Sequence, residues 1–288
     1  MAEILSYFLL TITFLVLLIA TLTDLKKREV PNWLNFATIA LALLARLIYS
    51  FITENFSFFL YGLLYTAIFF LIAHALYYGR IFAGGDAKLL IALGALLAEP
   101  PIFNVLSLSN TFSLLELPFS IVFLVNLFVA GSFYGMIMIF VYTIKNKKVL
   151  ENFKERIAKT KYIFLTIIPL IASVIFLFLK IHLLVFISAI LFFLPFFFML
   201  TKAVEKEAMI LKISSSRLTE GDWLASPVKI GRKVIMPNWE GLTREELSLI
   251  RKSKKKVLVK YGLPFVPAFL LAFILSLLIG NVFEIFLR

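Results

Sequence analysis

Apolar runs of membrane-spanning length alternate along this chain with short polar connections. The runs cover about residues 4–22, 31–52, 57–78, 87–98, 119–144, 162–179, 183–200 and 263–287. A helix needs about 20 apolar residues to cross the hydrocarbon core of a bilayer. The pattern therefore predicts an all-α polytopic membrane protein with about eight transmembrane helices. Pro31-Asn32 opens the second run, where proline's missing N–H has no intrahelical partner to lose. The fourth run is short and is stopped by Pro100-Pro101. It must be a short span, be completed by the glycine-bearing segment before it, or thin the bilayer locally. Residues 99–118 are nearly uncharged but rich in apolar positions, which predicts a segment lying along the membrane surface. The Lys/Glu content of residues 145–161 permits a helix in part.

A different pattern occupies residues 201–262. Val228-Lys229-Ile230 and Lys233-Val234-Ile235 alternate as short strands with Gly231 at the turn. Thr243-Arg244-Glu245-Glu246 has the form of a capping box opening a helix through about Ile250. Val257-Leu258-Val259 reads as a further strand. The expected organisation is a helical membrane bundle over 1–200, a small cytoplasmic α/β insert over 201–262, and a final transmembrane helix over 263–288.

Composition sharpens this picture in three ways. Apolar residues make up 61% of the chain, well above a soluble domain. The formal net charge is +12, and the excess lies mainly in connections between runs. Basic residues accumulate on the cytoplasmic side of membrane proteins. The connections after runs one, three, five and seven carry most of the loop Lys and Arg. That places them, with Asp24 and Asp86, on the cytoplasmic side and both termini outside. Arg46, inside run two, and Arg288 run against this bias. No aromatic-basic recognition module accompanies the charge, so nucleic acid is not an expected partner. Anionic lipid headgroups are. The chain has no cysteine and two histidines far apart, which excludes disulfides, thiolate metal sites and a cysteine nucleophile and argues against a histidine metal site. No basic n-region precedes the first run, which reads as a spanning helix and not a cleaved signal peptide.

Two carboxylates stand out because an ionisable residue at the hydrocarbon edge is costly. Asp24 lies in Thr23-Asp24-Leu25-Lys26-Lys27-Arg28-Glu29-Val30-Pro31-Asn32, and Asp86 in Ala83-Gly84-Gly85-Asp86-Ala87-Lys88. Each has a structural reading. Asp24 could end the first span and pair with Lys27 or Arg28. Asp86 could be the N-cap of a helix, and Lys88 could pair with it or reach to the headgroups. Together, on one side of the membrane, they also suit a pair sharing one proton, as in aspartic proteases. Glycines before Asp86 let the backbone bend and let another chain approach.

At these residues the sequence resembles the type IV prepilin peptidases, membrane aspartic proteases of the Gly-x-Gly-Asp class whose archaeal branch includes preflagellin (archaellin) peptidases. Asp24 to Asn32, as Asp-x-x-x-Arg-x-x-Pro-Asn, and Gly84-Gly85-Asp86-Ala87-Lys88 look like their two motifs. The resemblance covers the first four runs. It extends less specifically to Gly262-Leu263-Pro264-Phe265-Val266-Pro267. It implies that Asp24 and Asp86 are catalytic and that Arg28, Pro31, Asn32, Gly84, Gly85 and Lys88 support them. It also implies a cell-membrane endopeptidase that needs neither metal nor cofactor. Its partner would be a prepilin-like or preflagellin-like precursor, cut after a short basic leader at the cytoplasmic face. Ala83 stands where the strict motif has glycine. The cysteine-rich zinc segment of bacterial relatives, which often accompanies an N-methyltransferase activity, has no counterpart here, so no methyltransferase activity is expected.

Other classes leave more unexplained. An ion-coupled transporter could use the same carboxylates, but paired repeats with broken helices are absent from the sequence. A structural subunit of an assembly complex accounts for the basic insert and not for the motifs. A presenilin-like protease shares the glycine-aspartate motif but differs around its other aspartate. Glu29 could attract a basic leader. His74 reads as a helix–helix hydrogen bonder, His182 as exposed, and Pro237-Asn238-Trp239 as a chance echo of Pro31-Asn32-Trp33.

Overall fold

A computed structural model describes residues 2–99, 117–160 and 163–282. Ten α-helices and five short strands are present among them. Five helices are long and apolar enough to cross a membrane: α1 (Ala2–Lys27), α2 (Asn32–Ile52), α3 (Ser57–Tyr78), α5 (Phe119–Lys145) and α8 (His182–Ala208). This is a mostly helical, multi-pass membrane protein with a small strand-bearing insert. The other three expected spans coincide with shorter helices: α4 (Gly84–Leu96), α7 (Ile167–Phe178) and α10 (Val266–Leu278). The surface-lying segment expected over 99–118 falls mostly outside the described residues.

The chain divides into two compact units, the first built from Met1–Gly135 with Leu263–Arg288 and the second from Met136–Gly262. In the first, α4 packs against α1, α2 and α3. Leu89, Leu90, Leu93, Leu96 and Leu97 are fully buried, whereas Leu60, Phe70 and Leu71 of α3 are exposed. An exposed apolar face of that extent would be unstable in water and suits lipid. At 1.5 Å per residue, α4 is only about 20 Å long, so surrounding helices must cover it along its whole length. Phe123 of α5 and Phe269 and Phe273 of α10 complete the same core.

Arg46 explains its departure from the charge bias. Its side chain is fully buried. Nε donates to the Ala95 carbonyl at 3.0 Å, and Nη2 donates to those of Leu96 and Ala98 at 3.2 and 2.6 Å. The last carbonyls of a helix have no intrahelical donors. Arg46 supplies them to the end of α4, so its charge is a packing device for that helix.

In the second unit, α6 (Lys147–Lys159) packs against α8. Asn146 caps α6 by accepting the Lys148 N–H at 3.1 Å, and Asn152 donates to Glu207 Oε1 at 3.0 Å. Helix α8 runs to Ala208, past the apolar run. Its polar last turns remain helical with Lys202 bonded to Glu205 at 2.8 Å. Strands β1 (Ile210–Ser214), β5 (Lys256–Lys260) and β2 (Trp223–Leu224) form one antiparallel sheet in the order β1-β5-β2. Ile210 stands opposite Lys260. Strands β3 (Val228–Ile230) and β4 (Lys233–Ile235) form the hairpin read from the sequence. Helix α9 (Arg244–Lys252) starts at the Thr243 capping box, with the Thr243 N–H on Glu246 Oε2 at 3.1 Å. Ile250, Val257 and Val259 join Leu218 and Ile235 in the core of this insert.

Candidate active site

The first motif turns α1 into α2. Arg28 takes a left-handed conformation (φ 57°), and its N–H bonds the Asp24 carbonyl at 2.7 Å. The chain therefore leaves the helix just after Lys27. Pro31 is extended and precedes the first turn of α2. Asp24 consequently sits one turn before the exit, 6% exposed.

The second motif opens α4. Ala83 is extended, Gly84 is the first helical residue, and Asp86 is the third. Asp86 is thus not the N-cap. Its Oδ2 instead reaches back to accept the Ala83 N–H at 3.2 Å. This is half of a capping box, because alanine has no side-chain oxygen for the other half. The glycines are not demanded by packing within the chain. A Cβ on Gly84 would come no nearer than 3.8 Å to Tyr77, and one on Gly85 no nearer than 3.5 Å to Val30. What they do is leave the first turn of α4 bare of side chains beside Asp86.

The two motifs meet. Lys88 Nζ donates to Asn32 Oδ1 at 2.8 Å, so Lys88 ties the second motif to the first. Val30 of the first motif lies against Gly85 of the second. The Asp24 carboxylate is within electrostatic reach of Asp86, and the Arg28 charge acts on Asp24. Among the described residues, no group of three or more His, Cys, Asp or Glu is gathered to hold a metal ion.

One partner of Asp24 comes from the far end of the chain. Asp24 Oδ2 accepts the Val266 N–H at 2.9 Å. Val266 is the first residue of α10.

Residues 11–140 match the model of the type IV leader peptidase family. The match covers somewhat less than half of the chain. Both motifs lie inside the match, and α10 lies beyond it. The match supports a type IV leader peptidase-like protease. No curated protein matches the chain.

Several features of this site had no clear sequence signal. The Val266 contribution is made by backbone, which any residue but proline carries. The available hint was Pro264 and Pro267, which mark a helix start inside an apolar run. His74 bonds within its own helix, its Nδ1 on the Phe70 carbonyl at 2.9 Å, and not to a neighbouring helix as expected. His182 is exposed at the start of α8.

Proposed function

We propose that this protein is a membrane aspartic endopeptidase that removes the short basic leader of prepilin-like or preflagellin-like precursors at the cytoplasmic face of the cell membrane. The observation that supports the reading is that the two family-like motifs, one carrying Asp24 and the other Asp86, adjoin through the Lys88–Asn32 hydrogen bond. In this reading the ionised carboxylate takes a proton from water, and the hydroxide equivalent attacks the scissile carbonyl. The protonated carboxyl donates to the carbonyl oxygen as it becomes tetrahedral. Collapse of that intermediate breaks the C–N bond, and the leaving nitrogen takes up a proton from the carboxyl that had accepted one. No covalent acyl-enzyme forms. Neither a methyl transfer nor a cofactor is required.

The substrate assignment follows the type IV leader peptidase family, and the cytoplasmic placement follows the basic connections. Residues 201–262 form the cytoplasmic insert in this scheme. Arg28 and Pro31 shape the turn behind Asp24, while Gly84 and Gly85 leave room for an extended peptide beside Asp86.

Cleavage of a prepilin-like precursor in membranes, by wild type, Asp24→Asn and Asp86→Asn, tests the reading. Asparagine keeps an oxygen for the Val266 N–H, so the fold at Asp24 survives the change. Each substitution is expected to slow cutting by at least about a hundredfold with normal protein levels. Normal cutting by both variants would make the aspartates structural and end this reading.

A further inference from the structure

We infer that the N-terminus of α10 is a working part of the catalytic centre: the Val266 N–H orients the Asp24 carboxylate, and Gly131 on α5 seats the Phe265 ring that keeps it there. The inference rests on the two-aspartate reading and extends the centre to a helix outside the residues matched by the family.

The first N–H groups of a helix have no partner within it. In α10 the possibilities are few. Pro267 has no N–H, and the Ala268 N–H bonds the Phe265 carbonyl at 2.9 Å. The Val266 N–H goes to Asp24. A buried carboxylate held this way cannot swing freely about its side-chain bonds. Catalytic groups need that restraint, being effective only within about 0.5 Å of their productive position.

The donor is itself fixed. The Phe265 ring packs on Phe82 with centroids 5.6 Å apart and meets Phe269 edge-on at 6.0 Å. Phe82 in turn lies 5.6 Å from Phe269. Phe82 directly precedes the Ala83–Asp86 entry to α4. One aromatic cluster therefore braces both the donor to Asp24 and the approach to Asp86. Gly131 makes room for it, since a Cβ there would stand 2.6 Å from Phe265 Cζ and 3.1 Å from Cε2. A side chain at 131 would press on the Phe265 ring and disturb its packing at the start of α10.

A purely structural account has Asp24 capping α10 and nothing more. The two accounts differ in what they predict for turnover. Replacing Val266 by its α-hydroxy analogue turns one amide into an ester and deletes one N–H while keeping the side chain. The same change at Ala268 deletes an N–H bonded inside the helix and serves as the control. Gly131→Ala disturbs the donor by ordinary mutagenesis. Each is assayed in detergent on a synthetic precursor peptide for kcat, KM and pH–rate profile, together with thermal midpoint.

The Val266 ester and Gly131→Ala are expected to lower kcat about tenfold to a hundredfold, the range for a slightly misplaced group. KM should stay within about twofold, and the limbs of the pH–rate profile should move. The Ala268 ester should keep wild-type kcat and profile. A Val266 ester with wild-type kcat and profile overturns the inference, as does an Ala268 ester that loses as much. Should Gly131→Ala fail to accumulate, the two esters decide. Failure of the underlying reading is distinct: Asp24→Asn and Asp86→Asn would then cut normally, whereas failure of this inference alone leaves both inactive.

Discussion

Replacing Arg46 by methionine removes the three hydrogen bonds that its guanidinium gives to Ala95, Leu96 and Ala98. Methionine keeps most of the apolar stem, so little packing is lost. Each buried carbonyl left without a donor costs about 1–3 kcal/mol. Against this, the variant no longer holds a charge out of water, which itself costs several kcal/mol. The difference is a net loss of about 3 kcal/mol, taking the carbonyl penalty at about 2 kcal/mol each and the relief at about 3. Arg46→Lys should lose about half as much, because one ammonium cannot fork across carbonyls as a guanidinium does. The assay is reversible unfolding in mixed micelles titrated with sodium dodecyl sulfate, followed by far-ultraviolet circular dichroism. Arg46→Met should unfold at lower detergent fraction than Arg46→Lys, and both below wild type. A methionine variant as stable as wild type would refute the view that Arg46 terminates α4.

Four further outcomes are expected. A double-mutant cycle with Asn32→Ala and Lys88→Met should show a coupling of about 0.5–1 kcal/mol in kcat/KM for precursor cleavage, because the pair is only partly shielded from solvent; additive losses would remove Lys88 as the tie between motifs. Gly94→Ala should destabilise by about 1–3 kcal/mol in the same micelle titration, since its Cβ would lie 2.6 Å from Phe69 Cβ and 2.8 Å from the Tyr65 carbonyl. Thr243→Ala should weaken the start of α9 by about 1 kcal/mol, visible as faster amide exchange at Arg244–Glu246 in the full chain. Burial pushes the Glu99 carboxyl, in the connection after α4, up from 4.5 to about 7. The folded state then holds a proton that the unfolded chain has released, so this contribution is fully present below pH 4.5 and is lost as pH rises to about 7. Glu99→Gln should flatten that part of the stability profile.

The membrane helices were legible because apolar runs must be bounded by polar residues, and the long ones were bounded clearly. Asp24 and Asp86 were legible as charges at helix ends beside short polar motifs. That the two motifs adjoin was legible only through resemblance, since spacing alone does not say which helix ends come together. The β3–β4 hairpin and the start of α9 carried local signals, in alternation about Gly231 and in the Thr243 box. Strands β1 and β2 carried none: β1 is held by distant β5, and β2 is two residues long. Arg46 looked like a contrary topology vote because the positive-inside rule scores charge and ignores burial. Lys88 looked like a partner for Asp86 because the two are close in sequence, whereas its partner Asn32 is 56 residues away. Asp24's hydrogen bond to Val266, across 242 residues, lies furthest from anything a local pattern can carry.

That last separation also orders events during synthesis. Asp24 and Asp86 emerge early, but the donor at Val266 follows residues 136–262. At about 5–20 residues per second, the ribosome takes roughly ten seconds to cover that interval. For that time the newly inserted N-terminal helices carry both aspartates without the brace that orients one of them. Until α10 is made, the proposed centre lacks the donor whose loss is expected to lower kcat about tenfold to a hundredfold. Translation then delays full activity, and a chain broken before Leu263 never gains the brace.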